Sequence, residues 1–317
     1  MRGGAGYSAA MLVFTHPACL EHDPGIDHPE SPERLHAVIS ALRAEFPDQL
    51  EWRNAPPAKL GELARVHARE LIDSVLQAQT APLRRIDLDT FTSPGSASAA
   101  LHAAGAGVAA VDTVMLEEAN KHVFCAVRPP GHHATADTAM GFCLFNNIAV
   151  AAAYARDKYG LERIAIVDFD VHHGNGTQAI FETDPKVAYY STHQSGLFPF
   201  SGNMRERGVG NICNILLPPG SGGFRFRNTW ADEMLPQIEA FRPQLLFISA
   251  GFDAHMRDPQ ADLMVETEDF GWLTNELCLI ARRHGNARVV SMLEGGYDLQ
   301  ALRECSVEHV QALLATG

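Results

Sequence analysis

Short runs that are apolar on both faces alternate along this chain with longer segments whose apolar positions recur at helical spacing. Met11–Thr15, Val123–Val127, Ile164–Asp168, Val187–Ser191, Ile212–Leu216, Leu245–Ser249 and Val289–Leu293 read as strands. Continuous apolar runs of that length suit a parallel sheet covered on both sides. Between them, Pro32–Phe46, Ser96–Ala119, Asn147–Tyr159, Thr229–Phe241, Thr267–His284 and Leu299–Leu314 read as helices. Ser31 stands where an N-cap is favoured, and Pro32 stands at a first helical position that needs no N–H donor. The βαβα order, without a linker, repeat or low-complexity tract, predicts one doubly wound α/β domain with a mostly parallel sheet over residues 11–317. Residues 1–10, small and polar up to Met11, are expected to be a disordered leader or an expression remnant without chemistry.

Composition narrows the function classes. A chain of 317 residues, 46% of them hydrophobic, can bury a large core. No run of about 18 apolar residues predicts a membrane span, and no basic start precedes a long apolar stretch, so a cytoplasmic location is expected. The formal net charge of −13 argues against a surface that tracks nucleic-acid phosphates. It suits a cationic substrate, although an acidic surface also serves solubility. The six cysteines are scattered without a CxxC pair and are expected to be free thiols, mostly buried.

The polar residues that break the apolar pattern sit at strand ends. They are Arg128-Pro-Pro-Gly-His132-His133, Asp168-Phe-Asp170-Val-His172-His173-Gly-Asn175, Ser249-Ala-Gly-Phe-Asp253-Ala-His255 and Glu294-Gly-Gly-Tyr297. A parallel sheet brings such ends to one rim, where open α/β folds place their ligands. Period-2 alternation puts Asp168, Asp170 and His172 on one side of an extended segment. Asp170, His172 and Asp253 would make a three-ligand site with an open position, as in catalytic zinc sites. Zinc is the first expectation, and oxygen-rich ligation also admits Fe(II) or Mn(II). His132 and His133 are candidates for taking a proton from water activated there. His173, on the opposite pleat face, is expected to be structural. His255 is expected either to lie behind the site, to face substrate or to be a plain loop residue.

These motifs resemble the histone deacetylase superfamily, including bacterial histone deacetylase-like amidohydrolases and acetylpolyamine amidohydrolases, on the arginase–deacetylase α/β fold. The resemblance runs from His28-Pro-Glu-Ser-Pro-Glu-Arg-Leu35 through Asp87-Leu-Asp89-Thr and Gly141-Phe142-Cys143 to Glu294-Gly-Gly-Tyr297. It implies that Asp170, His172 and Asp253 bind the metal, and that His132 is oriented by Asp168 while His133 is the general base and later the acid. Asn175 stands at the partner position of His133, where class I members have aspartate, so the chain looks like the class II branch. Tyr297 matches the tyrosine that donates to the substrate carbonyl and the oxyanion. Phe142 and Phe198 match the walls of a narrow acyl-lysine tunnel beside Gly141, and Asp89 matches the acid at its rim. Gln260 replaces the leucine or glutamate found in relatives and leaves substrate choice open.

The resemblance also implies a structural potassium ion on backbone oxygens of Asp168, Asp170 and His172, with Ser191 and Thr192, and the possibility of a homo-oligomer. The expected activity is zinc-dependent deacetylation of acetyl-lysine side chains or a related acylated amine, with acetylpolyamines as the alternative. An arginase-like dimetal hydrolase would need further acids where Gly174 and His255 stand. A non-catalytic reader of acetylated ligands would not need Tyr297 and both tandem histidines.

Overall fold

The computed structural model describes residues 11–77 and 83–317, so the expected leader at residues 1–10 lies outside the described residues. The principal strands are β1 (Met11–Thr15), β2 (Leu50–Asn54), β5 (His122–Cys125), β6 (Ile164–Asp168), β7 (Val187–Gln194), β8 (Ile212–Leu217), β9 (Leu245–Ala250) and β10 (Val289–Leu293). They form an eight-stranded sheet in the order β2-β1-β5-β10-β9-β6-β7-β8. Every neighbouring pair in it is parallel. β6, β9 and β10 are buried along their whole length, which accounts for their apolar character on both faces. β3 (Arg84–Arg85) and β4 (Phe91–Thr92) form a small antiparallel pair apart from the main sheet.

Helices cover both faces: α1 (Pro32–Glu45), α2 (Leu60–Leu63), α3 (Arg69–Leu76), α4 (Ser96–Leu116), α5 (Asn147–Tyr159), α6 (Asn175–Phe181), α7 (Gly223–Thr229), α8 (Leu235–Phe241), α9 (Thr267–His284) and α10 (Leu299–Thr316). Ser31 has the extended backbone of an N-cap and Pro32 opens α1, although the Ser31 hydroxyl makes no capping bond. α4 is long and apolar enough to cross a membrane, and 67% of its most apolar window is buried inside the fold. Its alanines and glycines permit close packing: a Cβ at Gly105 would run into the Pro56 carbonyl, and one at Gly107 would lie 2.9 Å from Ala151. α4 is therefore a core helix here.

Three differences from the sequence reading have local causes. The apolar pattern does not mark β2, because Leu50-Glu-Trp-Arg-Asn is an edge strand with only its first residue buried. The helix expected from Thr229 begins at Gly223 and passes through a π-helical turn at Trp230–Met234, just before Pro236, which has no N–H to continue the ordinary ladder. The extended geometry assumed through His172 stops at Asp168, and residues 169–174 form bends and loop leading into α6. All six cysteines are free and buried.

Candidate active site

The four strands whose ends carry the suspicious residues are neighbours at the centre of the sheet: β5, β10, β9 and β6. Their carboxyl ends open on one cavity of about 420 Å³, counted with its open mouth, and the tandem histidines, Phe142, His172, Phe198 and Tyr297 are among its lining. Asp89, Gly141 and Gln260 also face it. Residues singled out on separate stretches of the chain thus meet in one place, with Asp170 and Asp253 in the layer beneath.

Asp170, His172 and Asp253 offer ligand atoms that all lie within 4.8 Å of one another. His172 Nδ1 is 3.0 Å from Asp170 Oδ1 and 3.1 Å from Asp253 Oδ2. Although the strand has ended, turns pull the carboxylates into line: Asp170 Oδ1 accepts from the His172 N–H at 2.9 Å, and Asp253 Oδ1 from the Val171 N–H at 2.9 Å. Glycines leave room for them, because a Cβ at Gly251 would meet the Asp170 carboxylate and one at Gly295 would meet both. The donor set fits a divalent cation. Two buried carboxylates and an imidazole need positive charge between them. Burial and then Asp170 push Asp253 up to about 7, whereas His172, despite its burial, is raised to about 10 by the two carboxylates. Without a cation, this cluster holds protons.

The tandem histidines are driven apart electrically. His132 Nδ1 lies 3.0 Å from Asp168 Oδ2, and Asp168 also accepts from the Tyr189 hydroxyl at 2.8 Å. Burial opposes the charged form of His132, but Asp168 and Asp170 outweigh it and raise the imidazole well above its ordinary value. His133 is lowered well below its ordinary value, first by burial and then by the positive fields of His132 and His172. Its Nδ1 lies 2.8 Å from Asn175 Oδ1, an acceptor, so the proton sits on Nδ1 and Nε2 is left with its lone pair. Environments that separate two like groups in this way mark acid and base assignments.

The remaining expected residues fall as follows. Phe142 adopts φ +67° with its N–H on the Thr90 hydroxyl, and its ring meets Tyr297 edge-on with centroids 5.8 Å apart. Phe198 packs edge-on against His133 at 5.1 Å. Gly141 has φ +56°, and a Cβ there would come within 2.5 Å of His133. Asp89 is held through its carbonyl, 3.0 Å from His28 Nε2. Ser191 and Thr192 lie on β7, with Ser191 in register with Asp168. His173 is buried between Ser201 and Gln178, as a structural residue would be. His255 accepts from the Arg257 N–H and points Nε2 toward Thr267, and it does not line the cavity.

Sequence reasoning missed the support behind these groups. Glu294 is buried, accepts from the Gly131 and His132 N–H groups at 2.7 and 3.2 Å, and is pushed up to about 7 chiefly by burial. Buried Glu30 takes a two-pronged contact from Arg128, Nη2 to Oε2 at 2.7 Å, and a further bond from Arg34 at 2.9 Å. Arg34 in turn donates to the Glu294 and Gly296 carbonyls at 2.6 Å and stacks 4.8 Å over the Tyr297 ring. The i,i+4 pair Glu30 and Arg34 was visible in the motif His28–Leu35, but its partners lie some 100 and 260 residues away.

Comparison with known proteins agrees with this geometry. The histone deacetylase domain model matches residues 28–313. The chain is 38% identical to a histone deacetylase-like amidohydrolase of Pseudomonas aeruginosa, over 90% of this chain and 77% of that one. It is 37% identical to the human polyamine deacetylase HDAC10, over 97% of this chain and 46% of that one. The crystal structure of the HDA15 HD domain superposes with a TM-score of 0.91 at 33% identity, covering 98% of this chain and 89% of that chain. The parallel sheet, the convergence of its central strand ends and these matches together show that this chain belongs to the histone deacetylase family and is a hydrolase of amide bonds.

Proposed function

We propose that the chain is a zinc-dependent deacetylase that removes acetyl groups from lysine side chains or similar slender acylated amines. The observation that carries this reading is the meeting of the Asp170–His172–Asp253 cluster with two electrically opposed histidines and Tyr297 around one cavity. Asp170, His172 and Asp253 would hold the ion, which when bound supplies Lewis acidity at the acyl carbonyl and lowers the pKa of water toward neutrality. Fe(II) or Mn(II) would satisfy the same ligands.

The chain's own groups carry the proton traffic. Phe142 and Phe198 flank an alkyl chain and leave the amide at the cavity floor. His133 accepts a proton from the attacking water at Nε2, while Asn175 holds the Nδ1 proton in place. Asp168 keeps His132 protonated, which offsets negative charge as the oxyanion develops, and the Tyr297 hydroxyl donates to that oxygen. His133 then returns its proton to the amine nitrogen as the C–N bond breaks, giving acetate and a free amine. A potassium ion against Asp168, Asp170, His172, Ser191 and Thr192 would stiffen this strand end. Its support is the buried Thr192 hydroxyl, which has no hydrogen-bond partner among the described residues.

A second reading, acetylpolyamine hydrolysis, draws on Asp89 and Gln260 at the cavity and on the net charge of −13, both suited to a cationic distal amine. The test is kcat/KM of zinc-loaded protein for an acetyl-lysine peptide, N-acetylputrescine and N-acetylspermidine. Acetate release from the peptide supports the first reading, a marked polyamine preference supports the second, and no release from any of them rejects both.

A further inference from the structure

Tyr297 sits in a segment that belongs to neither a strand nor a helix, between β10 and α10. Three side-chain anchors hold that segment, beside the Phe252 N–H, which donates to the Gly295 carbonyl at 3.1 Å. The Gly295 N–H donates to Asp170 Oδ2 at 2.9 Å, Arg34 binds the carbonyls on either side of Gly295, and the Tyr297 N–H donates to Asp258 Oδ2 at 2.7 Å. The first two fix the backbone before Tyr297, and only the third grips Tyr297 itself. Asp258 comes from a different loop, after β9, and is 6% exposed. Its Oδ2 also takes the Asp298 N–H at 3.3 Å, and its Oδ1 takes the Gln260 N–H at 3.0 Å. Gln260 and Tyr297 both line the substrate cavity. One buried carboxylate thus fixes a residue of the cavity wall with one oxygen and the backbone of the oxyanion donor with the other.

We propose that Asp258 is a positioning residue that sets Tyr297 at the height of the scissile carbonyl and fixes Gln260 relative to it. This inference rests on Tyr297 acting as the oxyanion donor. Among the described residues, the ring of Tyr297 is met by the Phe142 edge and the Arg34 guanidinium, and its hydroxyl has no hydrogen bond to hold it. Its hydroxyl lies at the end of a lever whose backbone pivot is the Asp258 contact. A displacement of about 1 Å at a catalytic group can cost on the order of a hundredfold in rate. Asp258→Asn keeps the size of the side chain. It places an amide N–H against one of the N–H groups that the carboxylate accepted, so one of the two loops is released.

The experiment is a double-mutant cycle on zinc-loaded protein with an acetyl-lysine peptide, using wild type, Asp258→Asn, Tyr297→Phe and the double variant, with thermal melting as the check on folding. Asp258→Asn is expected to lower kcat by about tenfold or more with KM changed less than about threefold. In the Tyr297→Phe background the same substitution is expected to lower kcat less than about twofold, because the hydroxyl it positions is gone. If Asp258→Asn fails to fold, Asp258→Ser is run through the same cycle with the same expectations. Equal losses of kcat in both backgrounds, or unchanged kcat in the wild-type background, would overturn the positioning role and leave the proposed mechanism standing. A near-normal rate for Tyr297→Phe alone would overturn the mechanism, and the positioning role with it.

Discussion

The floor of the active-site cavity and its mouth are built by different rules. At the floor, Asp170 and Asp253 are 1% exposed, seated on glycines and locked to backbone N–H groups at the ends of adjacent central strands. At the mouth the walls come from loops. Leu88, next to Asp89, and Phe200, two residues past Phe198, are each 80% exposed. The floor can change only if the sheet changes, while the mouth can vary with loop sequence at little cost to the fold. The difference separates side chains fixed by the sheet from walls supplied by loops, and on the proposed function it separates the reaction from the choice of amine.

Substitutions at the floor should therefore abolish chemistry, and those at the mouth should redistribute substrates. The largest effect is expected for Asp253→Ala, which leaves Asp170 and His172 as an incomplete ligand pair: zinc retention by elemental analysis and acetate release should both fall to background. Gly251→Ala should do nearly the same without removing a ligand, since the new methyl would occupy the space of the Asp170 carboxylate. Tyr297→Phe should keep the metal and lower kcat by about 10²–10³, the usual loss of one oxyanion donor. A metal-loaded variant with normal kcat would break the assignment of roles at the floor.

Smaller effects should appear between floor and mouth. Because burial and neighbouring positive charge hold His133 below its ordinary value, it is neutral at pH 7, and the acidic limb of kcat/KM should lie below pH 6.5. Asn175→Asp puts a carboxylate on His133 Nδ1, which favours the imidazolium and should move that limb to higher pH. An unmoved limb would mean that His133 is not the titrating base. At the mouth, Phe198→Ala should raise KM for an acetyl-lysine peptide by about tenfold with a lesser effect on kcat. Leu88→Ser should change kcat/KM for small acetylated amines less than about twofold, so any larger effect would extend the site beyond the mouth described here.

The same division governs what could be read from the sequence. Asp170, His172 and Asp253 were legible because they fall within a few residues of the end of an apolar run, where polar ligand-type side chains break the hydrophobic pattern. Their geometry was legible only in part. Alternation along a strand suggested the right faces, yet β6 ends at Asp168, and it is turn hydrogen bonds that aim Asp170 and His172. Glu294 stands in a strand-end motif and Asp258 two residues before Gln260, but their partners are backbone N–H groups brought near by folding, a kind of contact that leaves no signature in residue type. Edge strand β2 and the short helix α6 escaped for a simpler reason, too few apolar positions to set a period.

The central claim is that one zinc ion at the floor of the cavity makes this chain a deacetylase. It is tested most directly by titrating zinc into chelator-treated protein while following acetate release from an acetyl-lysine peptide. Activity should rise linearly and reach its plateau at one zinc per chain, and Asp253→Ala should show neither binding nor turnover. A plateau at two metal ions per chain, or full activity in the chelated protein, would contradict the account.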